Sequence, residues 1–132
     1  MRFLTVIVSY IAVAIVTVSV ASAHEAQEES VKMNFDAVIP NLPGKSLKAV
    51  EVTYPPGGMS RPHTHPSSGF IYAYVVEGAI ESKVNDGATH IYRVGESWPE
   101  PPGALHSISR NASKTKPAKL LAVFVVDTNE KP

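Results

Sequence analysis

His63 and His65 stand one residue apart in "RPHTHPSSGFIYAYVVEG", which runs from Arg61 to Gly78. On a β-strand, residues two apart project to the same face, so both imidazoles can reach one cation. On a helix the same spacing would splay them by about 200°. Neutral imidazole suits zinc, copper, iron or nickel, and manganese when oxygen ligands help. A third ligand must come from elsewhere, and His106, just after the turn "PPGAL", is the natural candidate. The expected cofactor is therefore one divalent transition metal on His63, His65 and His106. The competing reading is a protein without metal that binds a small molecule directly. Phe70, Tyr72 and Trp98 are candidates to line a substrate pocket, although such rings also serve as core or as subunit interface. Glu100 reads either as an acid behind the ligands or as a surface charge. His90 is expected to face solvent. No Ser/His/Asp or Cys/His arrangement and no phosphate-cradling glycine loop occurs, so no catalytic residue is assigned.

The elements around these residues read as strands. "LKAVEVTY" alternates and has one face much more apolar than the other. "FIYAYVVEG" is strongly β-prone and ends at Gly78. "AIESKV" and "THIYRV" flank "NDG" at Asn85 to Gly87, a hairpin signal. "PEPPG", Pro99 to Gly103, reads as a turn, "LHSIS" as a short strand and "AKLLAVFVVD" as a long apolar one. Short strands separated by Gly/Pro turns, with no sustained helical period, indicate an all-β sandwich or barrel. Gly69 to Val76 is apolar on both faces, Ile71, Ala73 and Val75 on one, Phe70, Tyr72 and Tyr74 on the other. A small barrel dries only one face of a strand. The other needs cover from the N-terminal arm or from a second subunit, and a homodimer is expected.

Arg2, then an uncharged run from Phe3 to Val20 and "ASA" at Ala21 to Ala23, reads as a secretory signal peptide. The alternative is a membrane anchor, since the run is nearly the ~20 residues needed to span a bilayer. The expected organisation is a signal peptide over 1–23, a polar arm over 24–45 and one domain over 46–132, secreted or periplasmic and free of the membrane after cleavage. His24 would then be the first mature residue; an amino-terminal His can chelate copper through its amine and ring, but with no second histidine nearby its position reads as chance. Twelve basic residues balance twelve acidic ones, and no basic block suits a phosphate backbone, so nucleic acid is not an expected partner. There is no cysteine, so an exported domain would be held by its core, a metal or a partner subunit rather than by disulfides.

"GGMSRPHTHPSSGFIYAYVVEG" resembles the first cupin motif and "GESWPEPPGALHSISRN" the second. Gly57 stands five residues before His63, with His65 and Gly78 following. Gly95, Pro101, Gly103 and His106 fall on the second motif without a gap. The resemblance implies a double-stranded β-helix, or jelly-roll barrel, with a metal inside held by the three histidines. Two departures stand out. The motif's Glu would fall at Gly69, Phe70 or Ile71, none of which is a ligand, and its Asn would fall at Arg110, one residue before Asn111. A site of three histidines and no carboxylate would leave a divalent cation its full charge, favouring anionic ligands. It is similar in ligand set to cupins of the thiol-dioxygenase and diketone-cleaving kinds. The function expected is a metal-dependent oxygenase or related enzyme acting on a small organic molecule, the alternative a non-catalytic module that binds one.

Overall fold

The computed structural model describes residues 27–132, and the signal peptide expected over 1–23 and His24 lie outside them. Nine strands follow one another, and no helix among the described residues is long and apolar enough to cross a membrane. β1 (Ser30–Val38), β2 (Lys45–Tyr54), β4 (Phe70–Glu77), β7 (Ser97–Glu100) and β9 (Ala118–Asp127) form one sheet in the order β1-β2-β9-β4-β7. β3 (His63–Thr64), β5 (Ala79–Val84), β6 (His90–Arg93) and β8 (Leu105–Asn111) form the second, in the order β3-β8-β5-β6. All strand pairs within the sheets are antiparallel. The all-β expectation holds, and the arrangement is a double-stranded β-helix.

The sequence pattern explains the packing. Along β9, Ala118, Leu120, Ala122, Phe124 and Val126 are buried while their neighbours are more exposed, a period of two that turns one face to the core. β2 runs the full length of β9, from Lys45 opposite Asp127 to Tyr54 opposite Ala118. Ile71, Ala73 and Val75 of β4 join them from the other side, and Ile80 and Trp98 close the cluster. Gly78 ends β4 at a positive φ of 68°, where a Cβ would lie 2.6 Å from the Pro117 carbonyl oxygen. Only glycine fits both conditions. The hairpin expected at Asn85 to Gly87 is present, with Asn85 at φ 50° and the Gly87 N–H donating to the Val84 carbonyl.

Three expectations need correction. The arm over 24–45 contains an ordered strand: β1 pairs with β2 from Ser30 opposite Thr53 to Val38 opposite Ser46. Backbone hydrogen bonds hold it, and its side chains, Val31, Met33 and Phe35 included, stay largely exposed. The arm does not cover the outer face of β4, where Phe70 and Tyr72 remain 50% and 46% exposed. Finally, β7 continues through Pro99 and Glu100, and the turn begins only at Pro101, whose carbonyl accepts the Ala104 N–H. Pro99 is tolerated because β7 is an edge strand.

Candidate metal centre

The three histidines meet at one end of the barrel interior. β3 pairs with β8 so that His63 lies directly opposite His106 and Thr64 opposite Leu105. His65, one residue past the short strand, is tied down by its N–H to the Ala104 carbonyl at 2.9 Å. The "PPGA" turn thus fixes both the start of β8 and the backbone of the second histidine. The ring centroids of His63 and His65 are 4.7 Å apart, and each lies within 6 Å of His106. One ring nitrogen from each lies within 4.8 Å of the others, close enough to share an ion.

Hydrogen bonds outside the cluster fix which nitrogens face inward. His63 Nδ1 is 2.8 Å from the Arg61 carbonyl oxygen, which can only accept, so Nδ1 carries the proton and Nε2 keeps its lone pair. His106 Nε2 is 2.8 Å from Ser82 Oγ, a buried hydroxyl, so Nδ1 is the nitrogen turned to the site. Burial, partly offset by the Glu100 carboxylate, pushes the His106 pKa down from 6.5 to about 4. The ring is neutral at ordinary pH, the form a metal needs.

Glu100, which the sequence left between an acid behind the ligands and a surface charge, lies inside the site. It is only 2% exposed, and its two oxygens face two of the histidines. Oε2 lies 2.6 Å from His65 Nε2, and Oε1 lies 3.3 Å from His106 Nδ1. Trp98 Nε1 donates to Oε1 at 3.0 Å, and the indole stacks on Tyr92 with centroids 4.4 Å apart. Burial opposes ionisation of Glu100, but His65, His106 and the Trp98 N–H together outweigh it and hold its carboxyl below the ordinary range. The site is therefore not the charge-free one expected from three histidines alone. Alternation along "SWPE" could have put Trp98 and Glu100 on one inward face, but the flanking prolines disguised the strand. Ser82 was missed, although alternation from Ile80 to Val84 puts it on the inner face.

Of the substrate-lining candidates, Phe70 and Tyr72 point away from the interior, on the face opposite Ile71 and Ala73. Trp98 is buried and spends its polar atom on Glu100. A cavity of about 330 Å³ instead opens beside the histidines, walled by Val50, Ile71, Ala73, Leu120, Ala122 and Phe124. Tyr54, buried in the same wall, bonds Ser60 and Ser109, each at 2.7 Å. His90 is exposed and takes no part in the cluster, as expected.

The offset at Asn111 also has a structural reason. Val84 lies opposite His106 while Lys83 lies opposite Ile108, so β8 carries one extra residue in a bulge at Ser107. Asn111 then donates to the carbonyls of Pro55 and Lys116 and accepts from the Ser113 N–H.

The Cupin domain family model matches residues 50–124. The chain belongs to the cupin family. This cupin is 34% identical over 90 residues to germin-like protein subfamily 2 member 2 of Arabidopsis thaliana, a match that covers 65% of the chain and 40% of that protein. The chain thus spans less than half the length of that curated relative. Among solved structures, an uncharacterized double-stranded β-helix protein of Klebsiella pneumoniae superposes with a TM-score of 0.62 at 18% identity, covering 78% of this cupin and 81% of that chain. An oxalate oxidase superposes with a TM-score of 0.55 at 25% identity, covering 64% of this cupin and 44% of that chain.

Proposed function

We propose that this cupin binds one divalent transition metal on His63, His65 and His106 and acts as a metal-dependent oxygenase or related enzyme on a small organic molecule bearing oxygen donors. The observation that carries the reading is the meeting of three imidazole nitrogens within 4.8 Å of one another, with the buried carboxylate of Glu100 beside them. Imidazoles and a carboxylate converging on one point in a buried site fit a centre built for a divalent cation. A metal held there supplies Lewis acidity to a substrate oxygen. The chain's own residues do the rest. The Arg61 carbonyl fixes the ring tautomer of His63, and the Ser82 hydroxyl fixes the orientation of the His106 ring. The apolar walls of Val50, Leu120 and Phe124 exclude water and set the shape of what fits.

The similarity to an oxalate oxidase supports small oxygen-rich acids as the first substrates to try. The apolar cavity favours the second reading, a module that binds a small molecule without turning it over. The signal-like N-terminus supports export, to the periplasm or outside the cell, with no membrane attachment after cleavage. A homodimer that buries Phe70 and Tyr72 is part of the same proposal, and light scattering on the mature chain checks it: a monomer at micromolar concentration removes it.

The test of function is metal loading followed by turnover. Metal-free protein is titrated with manganese, iron, zinc, copper and nickel, and then assayed for oxygen uptake with small carboxylic and hydroxy acids. Uptake of one metal per chain, lost in His63→Ala and His106→Ala, supports the site. Binding of an acid without turnover under any metal favours the module, and a chain that takes up no metal ends the enzyme reading.

A further inference from the structure

Ile71 of β4 and Glu100 of β7 are direct partners across an antiparallel pair. Ile71 is also where the first motif would place its carboxylate counting back from Gly78, and it faces inward along β4. Cross-strand partners have Cβ atoms about 5 Å apart, which is within reach of one glutamate side chain. We infer that Glu100 is the fourth ligand of the metal centre, a carboxylate transposed from β4 to the neighbouring strand. The inference rests on the metal reading above and deepens it.

The local geometry separates a ligand from a residue that merely orients a histidine. A carboxylate that orients a ligating imidazole accepts the ring N–H in line, while the other nitrogen takes the metal. Glu100 reaches beyond a single ring: Oε2 lies 2.6 Å from His65 Nε2 while Oε1 lies 3.3 Å from His106 Nδ1, so the carboxylate faces two imidazoles of the cluster at once, as the orienting partner of one ring would not. Metal–ligand bonds of about 2.1 Å at the right angles of octahedral geometry put neighbouring donor atoms about 3 Å apart. The two separations lie on either side of that value. Trp98 occupies Oε1 and leaves Oε2 free, and the Tyr92 stack holds the indole that does so.

Two consequences follow for the centre. Its ligands carry one negative charge, so a divalent cation retains a net charge of one rather than two. An oxygen donor also moves the preference toward manganese or ferrous iron relative to an all-imidazole site, which suits copper.

The experiment titrates metal-free wild type, Glu100→Gln and the exchanged variant Ile71→Glu/Glu100→Leu with manganese(II) and with copper(II) by calorimetry. Folding is checked by circular dichroism and urea midpoint. Glu100→Gln is expected to weaken manganese by about 100-fold or more, at or beyond the top of the range for supporting residues, and copper by less. The exchanged variant, which returns the carboxylate to β4, is expected to recover manganese affinity to within about 10-fold of wild type. Copper(II) bound to Glu100→Gln should also show an altered paramagnetic resonance spectrum, which a residue outside the coordination sphere would shift little. Wild-type affinity in Glu100→Gln overturns the assignment, and so does a folded exchanged variant that stays as weak as Glu100→Gln. If Glu100→Gln does not fold, the exchanged variant decides alone. A wild-type protein that takes up neither metal defeats the metal reading itself, an outcome distinct from failure of the Glu100 assignment.

Discussion

The five-stranded sheet pairs ten residues of β2 with ten of β9, whereas the four-stranded sheet holds His63 in a β3 only two residues long. The first sheet supplies most of the apolar wall of the cavity, through Val50, Ile71, Leu120 and Phe124. The second supplies the imidazoles of His63 and His106, with His65 just beyond β3, and contributes fewer large buried side chains. Stability and chemistry are thus placed on different sheets, and a ligand can be exposed, as His63 is, without weakening the barrel. Glu100 is the exception, a site-facing charge carried by the sheet that otherwise provides the core.

That division can be broken from the structural side first. Phe124→Ala removes a buried ring from the long sheet and is expected to cost about 3–5 kcal/mol of unfolding free energy, read from urea denaturation. A loss below ~1 kcal/mol would mean that the long sheet is not where the stability resides.

Acidification is the next largest effect and acts on the site. An unfolded histidine takes up its proton near 6.5, while His106 in the barrel does so only near 4. Between those values the unfolded chain binds more protons, so stability falls as pH falls. The expected loss from His106 in metal-free protein is on the order of 3 kcal/mol. Glu100 acts in the same sense at lower pH, because its stabilisation is present above the unfolded carboxyl pKa and is lost as pH falls through the depressed folded one. Urea midpoints measured across this range check the sign, and a flat profile would remove the buried neutral imidazole.

Ser82→Ala sharpens the comparison, because it touches the site through the short sheet. It leaves His106 Nε2 buried without its partner, at a cost of about 1–2 kcal/mol. It also frees the orientation of the ring, so metal affinity is expected to drop about 10- to 100-fold by calorimetry. His63→Ala is the smallest change in stability, within about 0.5 kcal/mol because the ring is exposed, yet it should abolish stoichiometric metal uptake. Loss of both folding and metal on His63→Ala would show that the two sheets are not separable in this way.

What the sequence made legible follows the same boundary. The long apolar run of β9 and the Asn85–Gly87 hairpin are local signals, and strand and turn lie where they were expected. His63, His65 and His106 were readable because spacing and a Pro-x-Gly turn are local as well. Glu100 was not, because its role depends on which strand pairs with β4, and three prolines beside it read as a turn. β1 was missed although Val31, Met33 and Phe35 alternate with Lys32, Asn34 and Asp36, because the charged residues just before it made the whole stretch read as irregular. Phe70 and Tyr72 misled in the opposite direction, since aromatic character does not tell which side of a two-faced strand looks inward.

β7 ends the long sheet with Pro99 in mid-strand and Pro101 and Pro102 directly after it. A strand from another molecule that tried to extend the sheet there would meet residues with no N–H to offer, so β7 resists the edge-to-edge joining that drives aggregation. β1, at the opposite edge, has no proline within Ser30–Val38. Among the described residues the long sheet therefore has one sealed margin and one open one, and the sealed margin is the one that carries Glu100.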